Sequence, residues 1–143
     1  MNSSIMQMFF QNECAEIYYD DVLDTLFLKY LNKVQNTEKF IEINSQLLAA
    51  FRQLDTQKFV ADIRKMGIIS IEAQNWVVEN LIPGMFQHLN GRPLFHAQLI
   101  DPSEVMSKVS GSNIKSRAKK EDEGFVVHQF TAENQLTDYL NSL

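Results

Sequence analysis

Three histidines and one cysteine are the side chains best suited to metal or nucleophilic chemistry. His88, His96 and His128 show no spacing typical of metal ligands, although the last two lie on two late strands that could be neighbours. Cys14 with His88 or His96 could form a nucleophile and its base, but a lone cysteine in an apolar strand is usually a small buried hydrophobic residue. Neither a Gly-rich phosphate loop nor a Gly-x-Ser-x-Gly turn is present. The sequence therefore predicts no catalytic, metal-binding or cofactor-binding residue, and no enzyme.

A serine stands at the start of a predicted helix, in the stretch Ser70-Ile71-Glu72-Ala73. A serine oxygen there can accept a hydrogen bond from a first-turn amide that otherwise has no partner. Glu72 places a negative charge in the same turn, where the helix dipole favours it. We therefore expect Ser70 to cap this helix.

Hydrophobic periodicity predicts the elements that position these residues. Alternating or continuous apolar runs predict strands, and apolar residues at helical spacing predict helices. The predicted strands are Cys14–Tyr19, Thr25–Tyr30, Lys58–Ile63, Leu94–Ile100 and Phe125–Phe130. The predicted helices are about Thr37–Leu54, Ser70–Leu81 with Trp76 on its buried face, one that starts at Asp101 and ends before Gly111, and one capped by Thr131 with Leu136, Tyr139, Leu140 and Leu143 on one side. Pro83 and Gly84 are expected to end the second helix or kink it.

These elements predict an α/β fold: a single domain with a mixed, mostly parallel sheet in the order β-β-α-β-α-β-α-β-α, with helices packed on the sheet. Strands that alternate with helices favour right-handed crossovers and parallel pairing. The opening hairpin adds an antiparallel strand at or near an edge. The 143 residues fit one domain, 1–143, in which 1–13 is an apolar N-terminal extension.

The N-terminal extension puts Ile5, Met6, Met8, Phe9 and Phe10 into six positions. An exposed apolar strip of this kind invites edge pairing. We expect an added edge strand, packing onto the chain's own helices, or a two-fold contact in a homodimer.

Charge and composition narrow the partner classes. The net charge of −5 disfavours a nucleic-acid partner, because phosphate neutralisation supplies most of that affinity. The basic cluster 115–120 is followed by the acidic run 121–123, so a solvated loop is expected there. No run reaches the length of an integral membrane helix, and the first ten residues do not resemble a secretory signal. With a single cysteine, these features favour a cytoplasmic protein.

The order of elements and three short matches resemble the STAS superfamily, in the branch similar to anti-sigma-factor antagonists (the SpoIIAA-like group), whose fold is related to the CRAL-TRIO fold. The matches are the turn Tyr19-Asp20; the residues Asp62, Arg64 and Met66 after the central strand; and the final strand and acidic helix, Phe130 to Leu143. This resemblance implies a non-enzymatic regulatory module that binds a protein partner.

The resemblance also implies a possible switch. In the best-understood members, a serine in the first turn of the second helix is phosphorylated within an Asp-Ser-Ser-Gly motif. Ser70-Ile71-Glu72-Ala73 departs from that motif, and the acceptor position falls on Ile71 or Glu72. Ser70 is therefore a possible phosphosite as well as a helix cap, and Glu72 could stand in permanently for a phosphate.

A second reading is a carrier of a lipid or small apolar ligand, of CRAL-TRIO-like type. A carrier needs a large apolar cavity. An interaction module needs a filled core and an exposed apolar patch. An enzyme would need a cleft with convergent titratable groups. These three requirements can be compared with the structure.

Overall fold

The computed structural model describes residues 6–102 and 127–143. Its strands are β1 (Met6–Gln11), β2 (Ala15–Asp20), β3 (Thr25–Tyr30), β4 (Lys58–Asp62), β5 (Phe95–Leu99) and β6 (Val127–Phe130). Its α-helices are α1 (Thr37–Arg52), α2 (Ile71–Trp76), α3 (Ile82–Leu89) and α4 (Glu133–Asn141). A π-helical segment, Val77–Leu81, joins α2 to α3.

The strands form one mixed sheet in the order β1-β2-β3-β4-β5-β6. β1, β2 and β3 pair antiparallel, and β3 through β6 pair parallel. The predicted α/β class and mixed sheet are confirmed. The predicted order was incomplete, because the segment assigned to an extension contributes β1 and places three strands before α1.

Two apolar layers cover the sheet. On one side, which we call the α1 face, Ile17, Leu28 and Phe59 pack in one buried cluster with residues of α1, α2 and α3. On the other side, the α4 face, Val60 and Leu99 pack with Leu136 and Leu140 of α4, in a smaller cluster. Alternation along the strands produces both faces, since successive side chains point to opposite sides.

The chain remains helical through Pro83, so this proline does not end the helix. A proline inside an α-helix clashes with the carbonyl four residues earlier and lacks a donor. Here the π segment widens the preceding turn, and Ile82 N–H donates to Val77 O. Pro83 thus falls in the first turn of α3, where its ring is tolerated. Gly84 lets α3 approach α1 closely: a Cβ there would lie 2.7 Å from Leu48 Cδ2.

The last helix differs from its prediction. Its N-cap is Ala132, without a side-chain cap hydrogen bond, so the prediction that Thr131 caps it was wrong. Leu143 lies beyond the helix end and is 44% exposed, so it does not share the buried side of Leu136 and Leu140.

The predicted helix after Asp101 and the charged stretch 115–124 lie outside the described residues. In the part that is described, no helix combines the length and apolarity that crossing a membrane requires.

Candidate binding surface

Ser70 connects the starts of two helices. Its backbone is extended, with φ −70° and ψ 163°, and its Oγ accepts a hydrogen bond from Ala73 N–H at 3.0 Å. The predicted helix cap is thus present. The same oxygen lies 2.6 Å from Thr37 Oγ1, in the first turn of α1. Sequence reasoning did not find Thr37, because a contact between positions this far apart in the chain leaves no local pattern.

The loop before Ser70 is anchored by its own buried side chains. Ile63, Met66 and Ile69 are each 6% exposed or less. Met66 O also accepts a hydrogen bond from Val34 N–H at 3.2 Å, which ties the loop to the segment before α1. The loop therefore has a fixed shape, although most of it has no regular secondary structure.

Two isoleucines on either side of Ser70 point into solvent. Ile68 and Ile71 are each 62% exposed. Ile68 follows Gly67, whose φ of +78° suits glycine and turns the chain outward. A Cβ on Gly67 would lie 3.2 Å from Lys33 Cγ, so the turn is also tightly packed.

We call the set Thr37, Ile68, Ser70, Ile71 and Glu72 the Ser70 surface. It borders a groove of about 190 Å³ between the starts of α1 and α2. Glu72 is exposed in the first turn of α2, as the sequence suggested. One signal could have revealed Ile71: it lies outside the stripe of Ala73, Val77 and Leu81 that the helix buries.

A small cavity lies beneath this region, between the sheet and the helices on the α1 face. Its volume is about 40 Å³, and its lining is mainly apolar with the polar side chains of Tyr30, Asn44, His96 and Gln98. Asn44 Nδ2 donates to Tyr30 Oη at 3.2 Å and to Phe40 O at 2.9 Å. Since one water needs roughly 10–15 Å³ of such space, the cavity can hold only a few water molecules.

His96 is neutral in this setting. Its pKa is lowered to about 3, mainly because burial deprives the charged form of its hydration and, to a smaller extent, because of the charge of His128. Its ring stacks on Phe59 with centroids 4.5 Å apart. Burial likewise raises the pKa of Tyr30. Neither group changes protonation near neutral pH.

The histidines do not converge on a metal. β5 and β6 are neighbours, as suggested, but His128 pairs with Ala97 while His96 pairs with Val127. His96 and His128 therefore point to opposite faces of the sheet. His88 Nε2 lies 2.7 Å from Leu54 O. Within residues 6–102 and 127–143, no group of three His, Cys, Asp or Glu side chains could hold a metal ion.

Cys14 has the environment of an unreactive thiol. Its Sγ lies 3.5 Å from Asn32 O and 3.8 Å from Lys33 O, as a donor to both carbonyls. Burial raises its pKa, and the charge of Glu13 raises it further. A nucleophilic cysteine needs the opposite shift, toward the thiolate.

Asp62 and Arg64, two of the residues quoted above for the STAS resemblance, form an ion pair on the α4 face. Arg64 donates to Asp62 through Nε at 2.9 Å and Nη2 at 2.7 Å, and Asp62 is only 6% exposed. Arg64 Nη1 also lies 3.8 Å from Glu133 at the start of α4. Burial and several carboxylates, Asp62 first among them, raise the pKa of Tyr18 to about 12. This cluster borders a pocket of about 170 Å³ and joins β4 to α4.

Comparisons with protein-family models, with curated proteins and with solved structures find no match to this chain.

Proposed function

We propose that this chain is a non-enzymatic, STAS-like regulatory module that acts in the cytosol and binds a protein partner through the Ser70 surface. The observation that carries the proposal is the pair Ile68 and Ile71, each 62% exposed on either side of the capping serine. Apolar side chains grouped at the surface are typical of interaction sites. Because buried neighbours hold the loop, little conformational entropy is lost when a partner binds.

The charge at this surface indicates the chemistry of the partner. Exposed Glu38 and Glu72 lie in the first turns of α1 and α2, and Glu72 directly follows Ile71. A partner that fits would present apolar side chains to Ile68 and Ile71, with lysine or arginine at the rim. The net charge of −5 adds a long-range attraction for such a basic surface.

The carrier alternative has less support. Sites for small molecules occupy roughly 300–1,000 Å³. The cavity on the α1 face has about 40 Å³, the pocket beside α4 about 170 Å³, the groove at the Ser70 surface about 190 Å³ and a pocket beside Cys14 about 240 Å³. None of these four spaces in the described residues reaches that range.

The non-enzymatic part of the proposal is supported by the state of the titratable groups. A general acid or base works best with a pKa near the working pH. The pKa of His96 is far below neutral, and those of Tyr30 and Cys14 are raised above their usual values. Each of these groups is therefore held in its neutral form.

The test is affinity capture from native cells with matched surface variants. Ile68→Glu and Ile71→Glu place a charge in the Ser70 surface, and Val22→Glu is the control. Val22 is 60% exposed, but it lies in the turn between β2 and β3, at the other end of β3. We expect a protein that is retained by the wild type and by Val22→Glu, and that is lost with both isoleucine variants.

Two outcomes would overturn the proposal. Equal capture of the same proteins by all variants would place the interface elsewhere. Native mass spectrometry that shows a co-purified lipid or small molecule would instead support the carrier.

A further inference from the structure

β1 forms an edge of the sheet and lacks the charged and proline residues that commonly protect such edges. Natural edge strands are commonly guarded by lysine, other charged residues or proline. β1, with the sequence Met-Gln-Met-Phe-Phe-Gln, contains none of these. Its Met6 and Met8 are 59% and 48% exposed. Among the described strands only β2 pairs with β1, so the other long side of β1 is able to accept another strand.

A β-bulge in β1 leaves its first half regular. The pairing with β2 shifts between Met8 and Phe10. Through this shift, Phe9 and Phe10 both pack against the core, although neighbouring residues of a regular strand would point to opposite faces. The bulge thus serves the protein's own core, and Met6–Met8 keeps regular antiparallel register.

We propose that β1 pairs antiparallel with β1 of a second copy of this chain, around a two-fold axis at Gln7. Gln7 is the centre of the regular stretch. This register places Met6 opposite Met8 of the second copy and Gln7 opposite itself. The two glutamine amides can donate to and accept from each other.

Two features favour a second copy as the occupant. In a two-fold strand pair, every charged residue would face its own copy or a close neighbour, so an uncharged strand suits self-pairing. β1 is uncharged, whereas β2 carries Glu16 and Asp20. Pairing of β1 with β6 of another copy would leave one β1 edge and one β6 edge free to continue the same contact, and a filament would grow. Pairing of β1 with β1 uses the β1 edges of both copies and therefore closes as a dimer.

The mass in solution tests the association. Light scattering of the full chain at micromolar concentration should give twice the mass of one 16.5 kDa chain. The double variant Met6→Lys/Met8→Lys should halve that mass, because like charges would then face each other. Its circular dichroism should be unchanged, since both side chains are exposed. Val22→Lys, equally exposed but away from the edge, should remain a dimer.

Cross-linking tests the register. In a Cys14→Ser background, Gln7→Cys should form a disulfide-linked dimer on mild oxidation, since the two sulfurs would meet at the axis. Gln11→Cys, on the same strand beyond the bulge, should not. A monomeric wild type would overturn the proposal, and so would a dimer that survives Met6→Lys/Met8→Lys or cross-links through Gln11→Cys alone. None of these results depends on the Ser70 surface.

Discussion

The hydroxyl oxygens of Thr37 and Ser70, two residues 33 positions apart in sequence, lie 2.6 Å apart and join the starts of two helices. Ser70 Oγ also accepts from Ala73 N–H, so this one atom serves two structural purposes. It closes the first turn of α2, and it fixes that turn against α1.

This double use predicts energetic coupling between the two residues. Ser70→Ala should cost about 1 kcal/mol of unfolding free energy from the lost cap. Thr37→Val keeps the side-chain shape and should cost about 0.5–1.5 kcal/mol from the lost hydrogen bond. The double variant should cost less than the sum, by about 0.5–1 kcal/mol, because the two losses share one contact. Urea unfolding of the four proteins measures the cycle, and strictly additive costs would contradict the coupling.

The same geometry predicts that Ser70 carries no phosphate in the purified protein. Its oxygen is already engaged with Thr37 and Ala73, and a phosphate would repel nearby Glu72. Intact-mass spectrometry should show the unmodified chain, with no change after phosphatase treatment. A stoichiometric phosphate on the peptide that contains Ser70 would contradict this and would support the switch that the resemblance implies.

The sequence predicted that Trp76 is buried against the sheet, whereas the structure shows it half-buried and packed against the core cluster. Trp76→Ala should therefore cost about 2 kcal/mol, below the roughly 3–5 kcal/mol of a fully buried tryptophan. The fluorescence maximum should lie between those of buried and fully hydrated indole. Trp76→Phe is the control and should lose less stability than the alanine variant. An emission maximum equal to that of free indole in water would show that the packing is absent.

Local sequence patterns were sufficient to predict most strands and helices of the fold. β2, β3, β4 and α1 lie within two residues of their predicted bounds, because their alternation or helical spacing comes directly from burial on one side. The cap at Ser70 was also visible, since the cap chemistry is contained within four residues.

The remaining features depend on contacts that local patterns do not contain. The bulge in β1 arises because Phe9 and Phe10 both reach the core, which requires the finished sheet. The helix does not end at Pro83, the first of the two expected outcomes; a π segment precedes the proline, and α3 continues to pack against α1 beyond it. The exposure of Ile68 follows from the buried anchors on either side of it, Met66 and Ile69. In each case tertiary packing, rather than local preference, decides the outcome.

The buried His96 predicts a specific loss of stability in acid. Its pKa is lowered from the ordinary 6.5 to about 3 in the folded chain, chiefly by burial. Between these values the unfolded chain binds a proton that the folded chain does not, so stability falls as the pH drops from 6.5 toward 3. The slope is about 1.4 kcal/mol per pH unit, or about 2 kcal/mol between about pH 7 and about pH 5.

Urea unfolding of the wild type and of His96→Leu across this range isolates the effect, since carboxylates contribute equally to both proteins. The stability of the wild type relative to His96→Leu should fall as the pH falls, because only the wild type loses the histidine contribution. Parallel pH profiles for the wild type and His96→Leu would mean that the unfolded and folded chains protonate His96 alike, contrary to its burial at 3% exposure.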